Sequence, residues 1–302
     1  MGLEDPTRLD LGDTSSSQED VPLTKLQIAI DRVASNLRYE YREYLAEFLS
    51  TMVMLIFGNS VVHQVLLNTK GTSGEYLSIN LGWGFGLTAA IYSNAGISGA
   101  HLNPAVTVTM ALFRGFPWKK VPGFICAQVI GAFCGAALVH SLWFQAIDEF
   151  DGGVRQVLGP KATAGFYATY PQPYLNIGTA FWTELLATSL LMIGILGCND
   201  PRNAVHISAN PIFVGILVIT IGMCTGFLTG YAINPARDFG PRLFTWAAGY
   251  GTEVWSAYNY YFWVPIVGPM VGGVVGGFIF EFLMCGKPKP RNLFQGSQDS
   301  NL

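Results

Sequence analysis

Six apolar runs, roughly residues 45–67, 77–97, 122–146, 178–198, 211–230 and 262–285, leave little polar sequence between them. Each has about the twenty residues that a helix needs to cross a hydrocarbon layer of about 30 Å. One or two such runs could form the core of a large soluble domain. Six of them in a 302-residue chain point to an all-α, multi-pass membrane protein. Composition agrees: 50% of the residues are hydrophobic and 12% are charged, against about a quarter charged in ordinary globular chains. A formal net charge of −3 leaves no basic surface, so nucleic acid is not expected as a partner.

The first forty residues are polar and lack the apolar core of a cleaved leader, so the first span is expected to act as its own insertion signal. Residues 1–40 read as a largely disordered N-terminal tail, and 286–302 form the C-terminal tail. Arg32, Arg38 and Arg42 precede the first span, Arg114, Lys119 and Lys120 precede the third, and Lys287, Lys289 and Arg291 follow the last. The opposite side has fewer basic residues, among them Lys70, Arg155 and Lys161, so both termini are expected to be cytoplasmic. The five cysteines, Cys126, Cys134, Cys198, Cys224 and Cys285, lack metal-ligand spacing and read as small packing residues. No nucleophile–base set or metal cluster supports an enzyme, and no cofactor is expected.

Two stretches echo one another: "SGAHLNPAVTVTMALFRG" at 98–115 and "TGYAINPARDFGPRLFTW" at 229–246. The echo extends upstream, where Glu47, Leu49 and Thr51 match Glu184, Leu186 and Thr188, and downstream, where "GAFCGAAL" from Gly131 matches "GGVVGGFI" from Gly272. Landmarks in one order mark an internal duplication, 41–150 and 178–285, joined by a connecting loop at 151–177. Three spans per half is an odd number, so the second copy must enter the membrane inverted. Residues 103–114 make a helix of about 18 Å, and two such half-helices end to end approximately cover the membrane core. Pro104 and Pro235 suit a first helical turn, and Asn103 and Asn234 suit N-caps with their amide hydrogens free to face outward. The irregular backbone before each motif survives at membrane depth only where protein covers it or water lines it.

The whole pattern, from about residue 41 to 285, resembles the aquaporin family, on its two Asn-Pro-Ala motifs, Asn103-Pro104-Ala105 and Asn234-Pro235-Ala236. Finer features resemble its aquaglyceroporin branch: Asp238 directly after Arg237, then Arg242, Tyr170 in "ATYPQPY", Pro265 and Ile266 in "WVPIVGP", and the long segment 247–261. The resemblance implies six transmembrane helices plus two re-entrant half-helices, a homotetramer in the plasma membrane, and a filter of Trp83, Gly222, Tyr231 and Arg237. It also implies carbonyls of Gly99, Ala100, His101, Gly230, Tyr231 and Ala232 along the pore. Glu47 and Glu184 are implied to accept hydrogen bonds from backbone N–H groups of the re-entrant loops. The implied permeants are glycerol, water, urea and other small polyols, with protons and ions excluded.

Such a filter makes physical sense, because glycerol presents hydroxyls along one edge of a carbon chain. Trp83 and Tyr231 supply an apolar corner, Arg237 supplies donors, and Gly222 is expected to leave room where a water-only pore would place a bulkier side chain. A predominantly water-selective channel is the alternative within the class, and Asp238 and Gly222 argue against it. A coupled secondary transporter also uses inverted repeats, but it needs midplane charges facing its substrate, and Glu47 and Glu184 are the only candidates. A non-conducting scaffold would not need filter residues. His63, His140 and His206 read as packing or loop residues.

Overall fold

A computed structural model describes residues 25–68, 70–203 and 206–284. The expected C-terminal tail, Cys285 and residues 1–24 of the expected N-terminal tail lie outside these residues. Residues 1–40 and 41–302 form two units. In the first, the chain is already helical from Lys25, inside the stretch read as disordered. The cause is visible in the spacing: Leu26, Ile30, Val33 and Leu37 recur at i, i+4, i+7 and i+11. Arg38 Nε donates to Ala34 O one turn back, at 3.1 Å.

The elements are α1 (Lys25–Leu67), α2 (Tyr76–Ser98), α3 (Pro104–Phe113), α4 (Val121–Asp151), α5 (Ile177–Cys198), α6 (Asn210–Thr229), α7 (Pro235–Thr245), α8 (Glu253–Tyr260) and α9 (Val264–Met284), with no strand among the described residues. The segments containing α1, α4, α5, α6 and α9 are long and apolar enough to cross a membrane. The sixth long helix, α2, has 23 residues but carries Asn80, Ser93, Asn94 and several glycines, which lower its hydropathy. Its asparagines point inward: Asn80 and Asn94 are buried. Neighbouring polar groups fasten α2 to α6, with Tyr76 Oη donating to Gly222 O at 3.2 Å and Thr88 Oγ1 to Pro211 O at 3.2 Å.

Helix packing repeats across the two halves. A Cβ on Gly135 would stand 2.8 Å from Met52 O, and one on Gly276 would stand 2.7 Å from Ser189 Cα. Only glycine allows α4 to close on α1, and α9 on α5, at that distance. Each half-helix then crosses to the other repeat: α3 packs on α9 and α7 packs on α4. Polarity is inside out relative to a soluble protein. Leu142, Phe227, Phe278 and Phe282 are exposed on the outer surface, while Glu47, Asn59, Glu184, Asp238 and Arg242 are buried. Cys126, Cys134, Cys198 and Cys224 are free thiols.

The half-helices begin where the local chemistry demands. Asn103 (φ −152°, ψ 120°) and Asn234 (φ −150°, ψ 109°) are extended N-caps followed by proline at the first turn. Asn103 Oδ1 accepts from Ala105 N at 2.9 Å, and Asn234 Oδ1 accepts from Ala236 N at 3.0 Å. Both caps thus satisfy a first-turn N–H that the helix leaves unpaired.

Candidate functional site

The backbone before each cap follows the same unusual course. Gly99, Ala100 and Leu102 have φ of 84°, 50° and 54°, and Gly230, Tyr231 and Ile233 have φ of 79°, 38° and 44°. Left-handed conformations at non-glycine residues cost about 1–3 kcal/mol each, so something must hold them. A buried carboxylate does so in each repeat. Glu47 accepts from Ser98 Oγ (2.7 Å), His101 N (2.8 Å), Leu102 N (2.8 Å) and Gln128 Nε2 (2.7 Å). Glu184 accepts from Thr229 Oγ1 (2.7 Å), Ala232 N (2.9 Å) and Ile233 N (2.8 Å).

The two half-helices meet through their caps. Asn103 Nδ2 donates to Ile233 O at 2.9 Å, and Asn234 Nδ2 donates to Leu102 O at 2.8 Å. This corrects the expectation that both amide hydrogens face outward. One hydrogen of each asparagine pins the opposite loop, and the second is left for a guest. Pro104, Ala105, Pro235 and Ala236 are buried in the first turns behind the caps.

A cavity of about 350 Å³ passes these caps, running from Asn210 and Pro211 at the start of α6 to Trp83, Tyr231 and Arg237. Its lining includes the apolar Met54, Leu87, Ile91, Leu191 and Val218. It also includes Gly99, Ala100, His101, Tyr231, Ala232 and the two asparagines. Gly230 is not in the lining. The His101 ring stays close to its own repeat, with Nδ1 3.2 Å from Thr107 Oγ1 and the ring edge-on to Phe116.

At the far end the Arg237 guanidinium carbon lies 4.2 Å from the Trp83 ring centroid. Arg237 Nη1 donates to Tyr167 O at 3.2 Å. Arginine has five N–H donors in a fixed plane, so others remain for a guest oxygen. Gly222 does not line the cavity. A Cβ there would stand 2.8 Å from Tyr231 Cζ and collide with Asn80 Oδ1. Glycine at this position therefore makes room for the Tyr231 ring, not for open space in the passage.

Tyr170, Asp238 and Arg242 form a clamp behind Arg237. Asp238 Oδ2 accepts from Thr169 N (2.7 Å) and Thr169 Oγ1 (2.6 Å), while Arg242 Nε donates to Asp238 Oδ1 at 2.8 Å. Arg242 also donates to Thr169 O (2.6 Å) and Val254 O (2.8 Å), and lies 4.5 Å from the Tyr170 ring centroid. The clamp binds the 164–170 strap to α7, one residue along from Arg237. Pro265 and Ile266 sit in the first turn of α9, outside the cavity lining.

Three contributors have no signal in the sequence reading. Gln128 joins Glu47 to Thr107 Oγ1 (3.0 Å), Tyr167 offers the carbonyl that takes Arg237, and Thr169 takes both charges of the clamp. The repeat could not reveal Gln128, because the glycine landmarks place Pro269 opposite it.

Comparisons with known proteins agree with this architecture. The family model described as major intrinsic protein matches residues 34–280. Aquaglyceroporin-2 of Rhizophagus irregularis is 47% identical over 250 residues, covering 82% of this chain and 78% of the relative. Aquaglyceroporin-3 of Trypanosoma brucei brucei is 46% identical over 248 residues, covering 82% and 80%. Among solved structures, the aquaglyceroporin from Plasmodium falciparum superposes with a TM-score of 0.73 at 34% identity, covering 81% of this chain and 96% of that one. Paired half-helices, inverted repeats and a match spanning most of the sequence lead to one conclusion: the chain is a membrane protein with the aquaporin fold and belongs to the major intrinsic protein family.

Proposed function

We propose that this chain is a passive channel for glycerol, water and other small neutral solutes, urea and small polyols included, that keeps out protons and ions. It acts as a channel and not as an enzyme. The observation that carries this reading is the mixed lining of the cavity, which brings residues of both re-entrant loops and the two asparagines together with the apolar Met54, Leu87, Leu191 and Val218. A polyol fits such a passage lengthwise, carbon backbone on the apolar residues and hydroxyls on the polar ones. Trp83 and Tyr231 form the apolar corner of the filter, Arg237 its donor edge, and Gly222 the recess behind Tyr231. Asn103 and Asn234 each donate to a passing oxygen at the join of the half-helices, whose N-termini add about half a positive charge each. A water held by two donors there cannot relay a proton in line, and Arg237 adds a full charge against cations.

Glu47 and Glu184 serve the loops and not a proton path, since their oxygens are occupied by backbone and hydroxyl donors. The homotetramer, the plasma membrane and cytoplasmic termini complete the proposal, the last supported by the distribution of Lys and Arg.

Arg237→Ala tests the barrier by stopped-flow light scattering and a proton-leak assay on proteoliposomes. The variant is expected to leak protons at least about tenfold faster than wild type, the effect of lowering a barrier by about 1.4 kcal/mol. A variant as proton-tight as wild type, with the same ratio of glycerol to water flux, would overturn the role of Arg237.

A further inference from the structure

Arg237 is held by a residue that is itself held from behind. Tyr167 gives its carbonyl to Arg237 Nη1, and its hydroxyl lies 2.8 Å from His140 Nδ1. Tyr167 is 1% exposed, its ring packed on His63, Phe244 and Tyr250. Burial raises the Tyr167 phenol far above its ordinary value, so the hydroxyl keeps its hydrogen. A buried O–H needs an acceptor, and His140 Nδ1 is the partner the structure supplies. With the hydroxyl donating, Nδ1 accepts, and the imidazole is neutral with its hydrogen on Nε2.

We propose that His140 is a positioning residue of the filter, setting through the Tyr167 hydroxyl the carbonyl that holds Arg237, and that protonation of His140 loosens this hold. A cationic imidazole donates from both nitrogens and cannot accept. The Tyr167 hydroxyl must then reverse, and its hydrogen loses its acceptor in a buried site. Tyr167 shifts to find another, its carbonyl moves relative to Arg237, and solute flux falls. The charged and titratable groups around His140 are Asp148 and Asp151 on α4, Arg155 beyond it, His63 on α1, Tyr167 on the strap and Tyr250 behind Tyr167. Arg155 is engaged with both carboxylates, at 2.6 Å from Asp148 and 2.8 Å from Asp151. The carboxylates are thus already paired, and the Tyr167 hydroxyl remains the group that senses a change at Nδ1.

This inference rests on the reading of Arg237 as the filter cation. Its test is glycerol flux into proteoliposomes at matched internal and external pH, from about pH 7.5 to about pH 4.5, a range that extends past the acid side of the ordinary histidine transition. Wild type is expected to lose about threefold or more of its flux across that range, the loss being carried by one ionisation. His140→Gln, a neutral partner that cannot titrate, and Tyr167→Phe, which lacks the hydroxyl but keeps the carbonyl, are both expected to show flat profiles. If one variant fails to fold, the other decides alone. A flat wild-type profile, or a variant with the wild-type slope, overturns the role of His140 while leaving the channel reading intact. Absence of glycerol flux at every pH overturns the channel reading, and this inference with it.

Discussion

Replacing Glu47 with alanine is expected to remove most of the folded protein without creating or abolishing any ion coupling. Four donors converge on this carboxylate: Ser98 Oγ, His101 N, Leu102 N and Gln128 Nε2. Each buried donor left without an acceptor costs about 1–3 kcal/mol. Ala100 and Leu102 would also hold positive φ unaided, at about 1–3 kcal/mol each. The combined penalty is comparable to a typical total stability of about 5–15 kcal/mol. The monodisperse peak in size-exclusion chromatography after detergent extraction should fall at least about tenfold. Glu184→Ala should move the same way by a smaller amount, because Glu184 has three donors and Pro269 stands where Gln128 would be. Wild-type yield and flux from Glu47→Ala would show that the loop holds itself.

The second large effect is expected at the clamp. Asp238 and Arg242 are 0% and 1% exposed, and each serves partners beyond the other. Removing one member of a buried pair leaves the other charge uncompensated, at a cost of about 3–5 kcal/mol. Asp238→Ala should therefore lower the thermal unfolding midpoint in detergent sharply. The double change Asp238→Leu with Arg242→Met removes both charges and should cost less than the two single changes added together. The coupling should be at least about 1 kcal/mol, within the range for residues sharing one network. Strict additivity would mean that the pair does not act as a unit. The remaining loss in the double variant would report Thr169 and Val254, whose backbone groups would lose partners that no apolar side chain replaces.

The inverted fold could be read from the chain because it follows from features with strong physical constraints. Span length reports hydrocarbon thickness, and an odd number of spans per repeat forces inversion. Asn-Pro at 103–104 and 234–235 states where a helix starts. Glu47 and Glu184 stood out because a carboxylate at membrane depth needs a reason. What could not be read depended on folded geometry. Gly222 looks like space in a sequence, yet it lies beneath the Tyr231 ring. Asn103 and Asn234 look free until the opposite loop is close enough to take one hydrogen from each. Tyr167 acts on Arg237 through its backbone carbonyl, which any residue type possesses, so its identity carried no signal. The start of α1 at Lys25 was legible in the spacing of Leu26, Ile30, Val33 and Leu37 but was outweighed by the polar composition around them.

Asp238 and Arg242 act on Arg237 from behind. They do not line the cavity; they hold the strap at Thr169, two residues from Tyr167, whose carbonyl takes Arg237. The central claim remains that solute passes down a cavity of mixed polar and apolar lining without coupling to any ion. Glycerol influx into proteoliposomes over a series of glycerol gradients, with and without an imposed proton or sodium gradient, tests it most directly. The account predicts influx well above that of protein-free liposomes, rising in proportion to the gradient and unchanged by either ion. Influx that saturates and follows an ion gradient, or that is no faster than in protein-free liposomes, would contradict it.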